Sequence, residues 1–123
     1  MHDKSRVREI AQGLVDAWNR HDLVGILSHY HEDVTATNPL FCLLLGKEDG
    51  VLCGKAAIKP YWANVLEQMP HLRFKLHDVY LGVDSFVIHY QGIFERDVVE
   101  VFKLDSAGKI VATESYLESL DMP

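Results

Sequence analysis

The feature that most constrains this chain is a change of hydrophobic period at Pro70. Before it, apolar residues recur every three or four positions. After it, Leu72, Phe74 and Leu76 alternate with Arg73, Lys75 and His77. A period near 3.6 buries one stripe of a helix, and a period of two buries one face of a strand. A chain that runs helices first and strands second predicts an α+β domain with its helices packed on one face of a mostly antiparallel sheet. A sheet of this kind twists and curls, so helices laid on its concave side leave a pocket between the layers. The 123 residues are enough for one domain with its own core, and the whole span 1–123 is read as that domain.

The helical half divides further. Val7, Ile10, Ala11, Leu14 and Trp18 form one stripe, and Asp3 or Ser5 can cap its start. Asn19-Arg20-His21-Asp22 interrupts the pattern, and Asp22 can cap a short second helix carrying Leu23, Ile26, Leu27 and Tyr30. Val34 to Thr37 predicts a short strand that ends at Asn38-Pro39. Leu40 to Cys53, with its Gly46-Lys47-Glu48-Asp49-Gly50 cluster, reads as a loop or irregular hairpin. Ile58, Trp62, Val65, Leu66 and Met69 mark a third helix. Pro60 kinks it, or else starts its regular part. Beyond Pro70, strands are expected at Leu72–Leu76, Ser85–Gln91, Val98–Leu104 and Ile110–Leu117. Asp105-Ser106-Ala107-Gly108 is a turn before the last of them.

Charge removes several partner classes. Asp plus Glu outnumber Lys plus Arg by 18 to 12, for a net charge of -6. Phosphate backbones and anionic membranes both select clustered cations, so neither nucleic acid nor membrane is expected as a partner. The longest apolar run, Leu40 to Leu45, is too short to span a bilayer. The first residues lead into no apolar signal region, and a cytoplasmic location follows as the expectation. Cys42 and Cys53 fit no metal spacing and are read as free, buried thiols.

Few residues carry chemistry. Glu100 stands in Asp97-Val98-Val99-Glu100-Val101-Phe102, an acid within an apolar strand. Facing the helices, it would be desolvated, its pKa would rise, and its neutral form could donate a hydrogen bond or a proton. Facing solvent, it would pair with Lys75, Lys103 or His89. The period alone does not choose the register. Asn38 can orient a carbonyl or a water but cannot abstract a proton. His89 is a second acid/base candidate within a strand, but its parity opposes that of Tyr90, so cavity and solvent faces are both open to it. Trp18, Tyr30 and Trp62 lie on apolar stripes where core filling and pocket lining are both open, with Leu14 and Phe102 beside them. His29 and His31 stand two apart and miss the helical spacing of metal ligands, so no metal is expected. The chain has no nucleophile elbow, P-loop or dinucleotide fingerprint.

The order of Ala17-Trp18-Asn19-Arg20-His21-Asp22-Leu23, Tyr30-His31-Glu32-Asp33-Val34, Asn38-Pro39, Gly54-Lys55-Ala56-Ala57-Ile58, Val99-Glu100-Val101-Phe102-Lys103-Leu104-Asp105 and Gly108-Lys109-Ile110 resembles the SnoaL-like and ketosteroid isomerase-like proteins of the nuclear transport factor 2-like superfamily. The resemblance implies a cone of curved sheet closed by three N-terminal helices, a cystatin-like roll that is often dimeric. It fixes no reaction, because the fold hosts many. Steroid isomerases of the family use an aspartate base before a proline, a tyrosine on the first helix and a protonated aspartate in the third late strand. Those positions hold Asn38, Leu14 and Glu100 here. Tyr30 matches a second tyrosine and Trp62 replaces another. The epoxide hydrolase branch has an asparagine where Asn38 stands, but Ala36 and Ser115 occupy its tyrosine and aspartate positions.

The expectation is therefore a homodimeric domain with an apolar pocket for a small hydrophobic ligand. Isomerase, lyase or cyclase chemistry on a carbonyl compound would run through Glu100, with Asn38, Tyr30 and His89 assisting and no cofactor. The alternative is a non-catalytic binding or interaction module that works through outward strand residues such as Val101 and Tyr116.

Overall fold

The computed structural model describes residues 2–119, so the extreme ends of the expected 1–123 domain lie outside the described residues. The elements run α1 (Lys4–Asn19), α2 (Leu23–Leu27), β1 (Tyr30–Thr37), α3 (Pro39–Leu45), β2 (Val51–Cys53), α4 (Lys55–Gln68), β3 (Lys75–Leu81), β4 (Ser85–Gln91), β5 (Asp97–Leu104) and β6 (Ile110–Leu117). A 3₁₀ turn at Ile93–Glu95 joins β4 to β5. The fold is α+β, with one open, curved sheet in the order β2-β1-β6-β5-β4-β3. All neighbours are antiparallel except β1 and β6.

The apolar stripe of α1 is buried from Val7 to Trp18, and Asp3 caps it by accepting the Arg6 amide at 2.8 Å. Asp22 caps α2 through the Gly25 amide. From β4 to β6 the alternation is regular. Phe86, Ile88 and Tyr90, then Val98, Glu100, Phe102 and Leu104, then Thr113 and Ser115 point to the helices. Phe86 and Phe102 are directly opposite in register and stack at 4.8 Å between ring centres.

Several local expectations change. Tyr30 opens β1 rather than closing α2, because the short helix stops at Leu27 and the chain then pairs with Ile110. The segment read as a loop holds α3 and β2. Asn38-Pro39 both ends a strand and starts a helix. The Asn38 side chain accepts the Leu40 amide at 2.9 Å, and proline in the first turn has no amide to lose. Gly46 closes that helix with φ +68, a conformation that glycine adopts freely. Leu43, Leu44 and Leu45 are exposed, so α3 has no 3.6-residue pattern to read. Helix α4 starts at Lys55 and carries Pro60 inside it. Ala56 and Pro60 are both exposed, so water can reach the carbonyl that the proline leaves unpaired. Strand β3 begins at Lys75, not Leu72. The backbone just before it is pinned by side chains from the C-terminal end of α1 and the turn after it, His21 to the Leu72 carbonyl and Asn19 to both the amide and the carbonyl of Phe74. Cys42 and Cys53 are free but exposed, not buried, since they sit on the outer side of α3 and on edge strand β2. Among the described residues no helix is long and apolar enough to cross a membrane.

Candidate functional site

The helices do not fill the concave side of the sheet. They leave a cavity of about 60 Å³ lined by Trp18, Tyr30, Asn38, Trp62, Tyr90 and Glu100 among others. That is room for a few water molecules. One wall is a continuous run of rings. Tyr30 meets Trp62 edge-on at 5.0 Å, Trp62 meets Trp18 edge-on at 5.4 Å, Trp18 stacks on Phe74 at 4.8 Å, and Phe74 packs against Tyr90 at 4.9 Å. Offset and edge-on pairs of this kind hold rings in fixed positions.

Glu100 enters this wall from the middle of β5. Its neighbours across the sheet are Ile88 on one side and Ser115 on the other. Part of its surface is reachable because it forms cavity wall, while the carboxyl itself is enclosed by protein. The Tyr90 hydroxyl donates to its Oε1 at 2.8 Å. No cation faces it. Desolvation pushes its pKa up to about 7, against the opposing pull of the Tyr90 and Ser115 hydroxyls, which favour the charged form. The carboxyl in turn pushes the pKa values of Tyr90 and Tyr30 further up from where burial already holds them. Ser115 is directly opposite and close enough to act on the acid. Its buried hydroxyl nevertheless meets hydrogen-bond geometry with no partner among the described residues. The Tyr30 hydroxyl and the Asn38 amide nitrogen also have no partner there, and Asn38 uses only its Oδ1, on the α3 cap. Polar atoms with spare capacity in an apolar enclosure are the usual means of orienting a ligand.

The sequence candidates divide by strand parity. Glu100, Asn38, Trp18, Tyr30, Trp62, Leu14 and Phe102 all line the cavity. His89 does not. It pairs with Val99 on the outer face of the sheet and lies near Asp78 and Asp97, so the expectation that it joins the other candidates at the cavity is corrected. Sequence reading missed Tyr90, Phe74 and Ser115. The parity of Phe86, Ile88 and Tyr90 is the signal that could have found Tyr90. For Phe74, the pinning by Asn19 leaves no mark in the sequence.

The chain is a small α+β protein with helices on one face of a curved sheet, and comparison with known proteins gives its family. Residues 11–113 match the model of the SnoaL-like domain. The chain belongs to this family. A SnoaL-like protein of unknown function from Burkholderia thailandensis is 32% identical over 95% of this chain and 98% of its own, with a TM-score of 0.92. At the level of fold, the chain is also similar to SalBIII, an epoxide hydrolase/cyclase-like enzyme of pyran ring formation in the polyether salinomycin. The identity is 22%, the coverage 98% of this chain and 97% of that one, and the TM-score 0.77. TerC, crystallised with polyporic acid, is 22% identical over 92% of each chain with a TM-score of 0.74. Among curated proteins, none matches the sequence significantly.

Proposed function

We propose that this SnoaL-like domain binds a small, largely apolar carbonyl compound in the aromatic cavity and acts on it through Glu100, in an isomerase, lyase or cyclase reaction. The observation that carries the reading is the enclosed Glu100 carboxyl, held by Tyr90 at 2.8 Å with no counter-ion among the described residues. Tyr90 occupies Oε1 as donor. The proton of the neutral acid can then sit on Oε2 and be offered to a substrate oxygen. As negative charge grows on that oxygen, the proton moves across, and the Tyr90 hydroxyl stabilises the carboxylate left behind. A group whose pKa lies near the working pH serves best in both directions. Asn38 and Tyr30 would orient the substrate through their unused polar atoms. Asn38 cannot take a proton, so a steroid isomerase mechanism with a base at this position is not part of the proposal.

The fold-level relatives support the substrate class. One is an enzyme of ring formation in a polyether, and another is crystallised with polyporic acid. The test is a thermal-shift and native mass spectrometry screen of the purified protein against cyclic ketones, enones and quinones. A bound compound lost in Glu100→Gln and weakened in Asn38→Ala, with both variants folded, is the expected result. Ligands that bind both variants as well as the wild type would remove the cavity acid from the function.

A second reading rests on the opposite face. Val99 and Tyr116 are paired in register on the outer side of the sheet and are 40% and 51% exposed, with Val101 on the same face. This favours a homodimer that buries these residues, whether or not the cavity is catalytic. Light scattering of the wild type and of Tyr116→Glu checks it, with a dimer reduced to monomer as the expected outcome.

A further inference from the structure

The three-strand cluster on the sheet's outer face has a use that cavity chemistry does not absorb. His77 comes from β3, His89 from β4 and Asp97 from β5. The Asp97 Oδ1 is 3.5 Å from His77 Nε2 and 3.6 Å from His89 Nε2. One ligand atom from each residue lies within 4.8 Å of the others. Two ligands bound to one tetrahedral zinc ion at about 2.0–2.1 Å stand roughly 3.3 Å apart. Both contacts of the carboxylate are therefore close to the separation that a shared ion imposes.

The backbone contributes a second, independent observation. The β3–β4 pairing runs Leu76↔Tyr90 and then Asp78↔His89, so His77 is the extra residue of a β-bulge. In an unbroken ladder His77 would sit opposite His89 and Asp78 would point to the helices. The bulge instead sets two residues against one, so that Asp78 joins His77 beside His89. Asp78 lies 3.9 Å from the other ring nitrogen of His89, Nδ1. At this distance the carboxylate makes no hydrogen bond, but it stands on the side of the ring from which a small approach would orient a metal-bound imidazole. Asp97 reaches the group from a position diagonal to His89, opposite Gln91.

We propose that His77, His89 and Asp97 form a three-ligand site for a divalent transition metal of the zinc class, with Asp78 as the residue that positions His89. Two imidazoles and one carboxylate suit zinc, copper, nickel and cobalt better than magnesium or calcium, which select oxygen. The fourth position is open to solvent, since all three side chains are only partly covered. The ion would tie β3, β4 and β5 together behind Tyr90 and Glu100, which leave the same strands on the cavity side. Sequence spacing does not reveal such a site, because its ligands come from three strands and the placement of Asp78 depends on the bulge.

The test uses tag-free protein stripped with a chelator, titrated with Zn²⁺ against a chromogenic competitor, and separately with Co²⁺. The expected result is one saturable equivalent of zinc, a rise in melting temperature with zinc, and the visible absorption of four- or five-coordinate cobalt. His89→Gln and Asp97→Asn should each weaken binding at least tenfold, and Asp78→Asn by about tenfold. His71→Gln, an exposed histidine outside the cluster, should bind as the wild type does. Metal-free melting curves of the variants establish that they fold. Absence of saturable binding by the wild type, or binding that survives both His89→Gln and Asp97→Asn in folded protein, would overturn the site.

Discussion

Tyr90 reaches Glu100 diagonally across two strands. Its register partner is Val98, yet its hydroxyl donates to the Glu100 carboxylate at 2.8 Å. The bond favours the charged acid and partly opposes the desolvation that raises its pKa. In Tyr90→Phe that opposition is gone, so Glu100 should titrate above the value of about 7 it has in the wild type. Carbon NMR of the labelled glutamate carboxyl reads the midpoint. An unchanged or lower midpoint would mean that the hydroxyl does not act on the acid.

The same acid makes folding depend on pH. Its pKa rises from an ordinary 4.5 to about 7 on folding. The folded state therefore holds this proton more tightly than the unfolded chain does. The contribution is fully present below pH 4.5, is lost as pH rises toward 7, and changes no further above that. The total is about 3 kcal/mol from a shift of this size. Urea unfolding of wild type and Glu100→Gln at pH 5 and pH 8 isolates it. The glutamine variant should lose this pH-dependent step and gain relative stability at pH 8. Parallel pH profiles for the two proteins would contradict the assignment.

Asn38 has two roles that substitution can separate. As cap of α3 it uses Oδ1, and aspartate can do the same. Asn38→Ala should cost about 1 kcal/mol of stability, while Asn38→Asp should keep most of it. Ligand binding should fall in both, because neither retains the amide donor. Equal melting temperatures for wild type and Asn38→Ala would remove the capping role.

Behind the cavity, Phe86 and Phe102 are essentially inaccessible and stacked nearly parallel, 7° apart. Phe86→Ala leaves a void between sheet and helices and should cost about 3–5 kcal/mol. Phe86→Leu, which keeps most of the volume, should cost much less. Chemical denaturation at one pH compares them. A small effect of the alanine would show that the helices collapse into the space.

The architecture was legible where the period was clean. The α1 stripe, the Asp22 cap and the alternation of β4 and β5 all stand in the sequence as they stand in the fold. Between Leu40 and Cys53 the signal failed, because three consecutive exposed leucines hide the burial pattern of α3. The enclosed acid was recognisable as a candidate, but its orientation was not. A slip of one residue would have exchanged Glu100 for Val99 or Val101. His89 was misplaced for the same reason, and Tyr90 was overlooked beside it. The bulge at His77 lay beyond reach, since nothing in the local residues announces an unpaired position.

Strand β1 joins the sheet through β6, in parallel register from Thr35↔Ala112 to Thr37↔Glu114. These partners are 77 residues apart in sequence, whereas β3 to β6 assemble through successive short hairpins. Loop-closure entropy makes the distant pairing the slow one. Tyr30 and Ala36 arrive on β1, so the aromatic enclosure is completed late on the folding pathway, after the meander has formed. Ligand capture should consequently trail the recovery of β structure in refolding kinetics, reporting the finished molecule rather than the collapsed one.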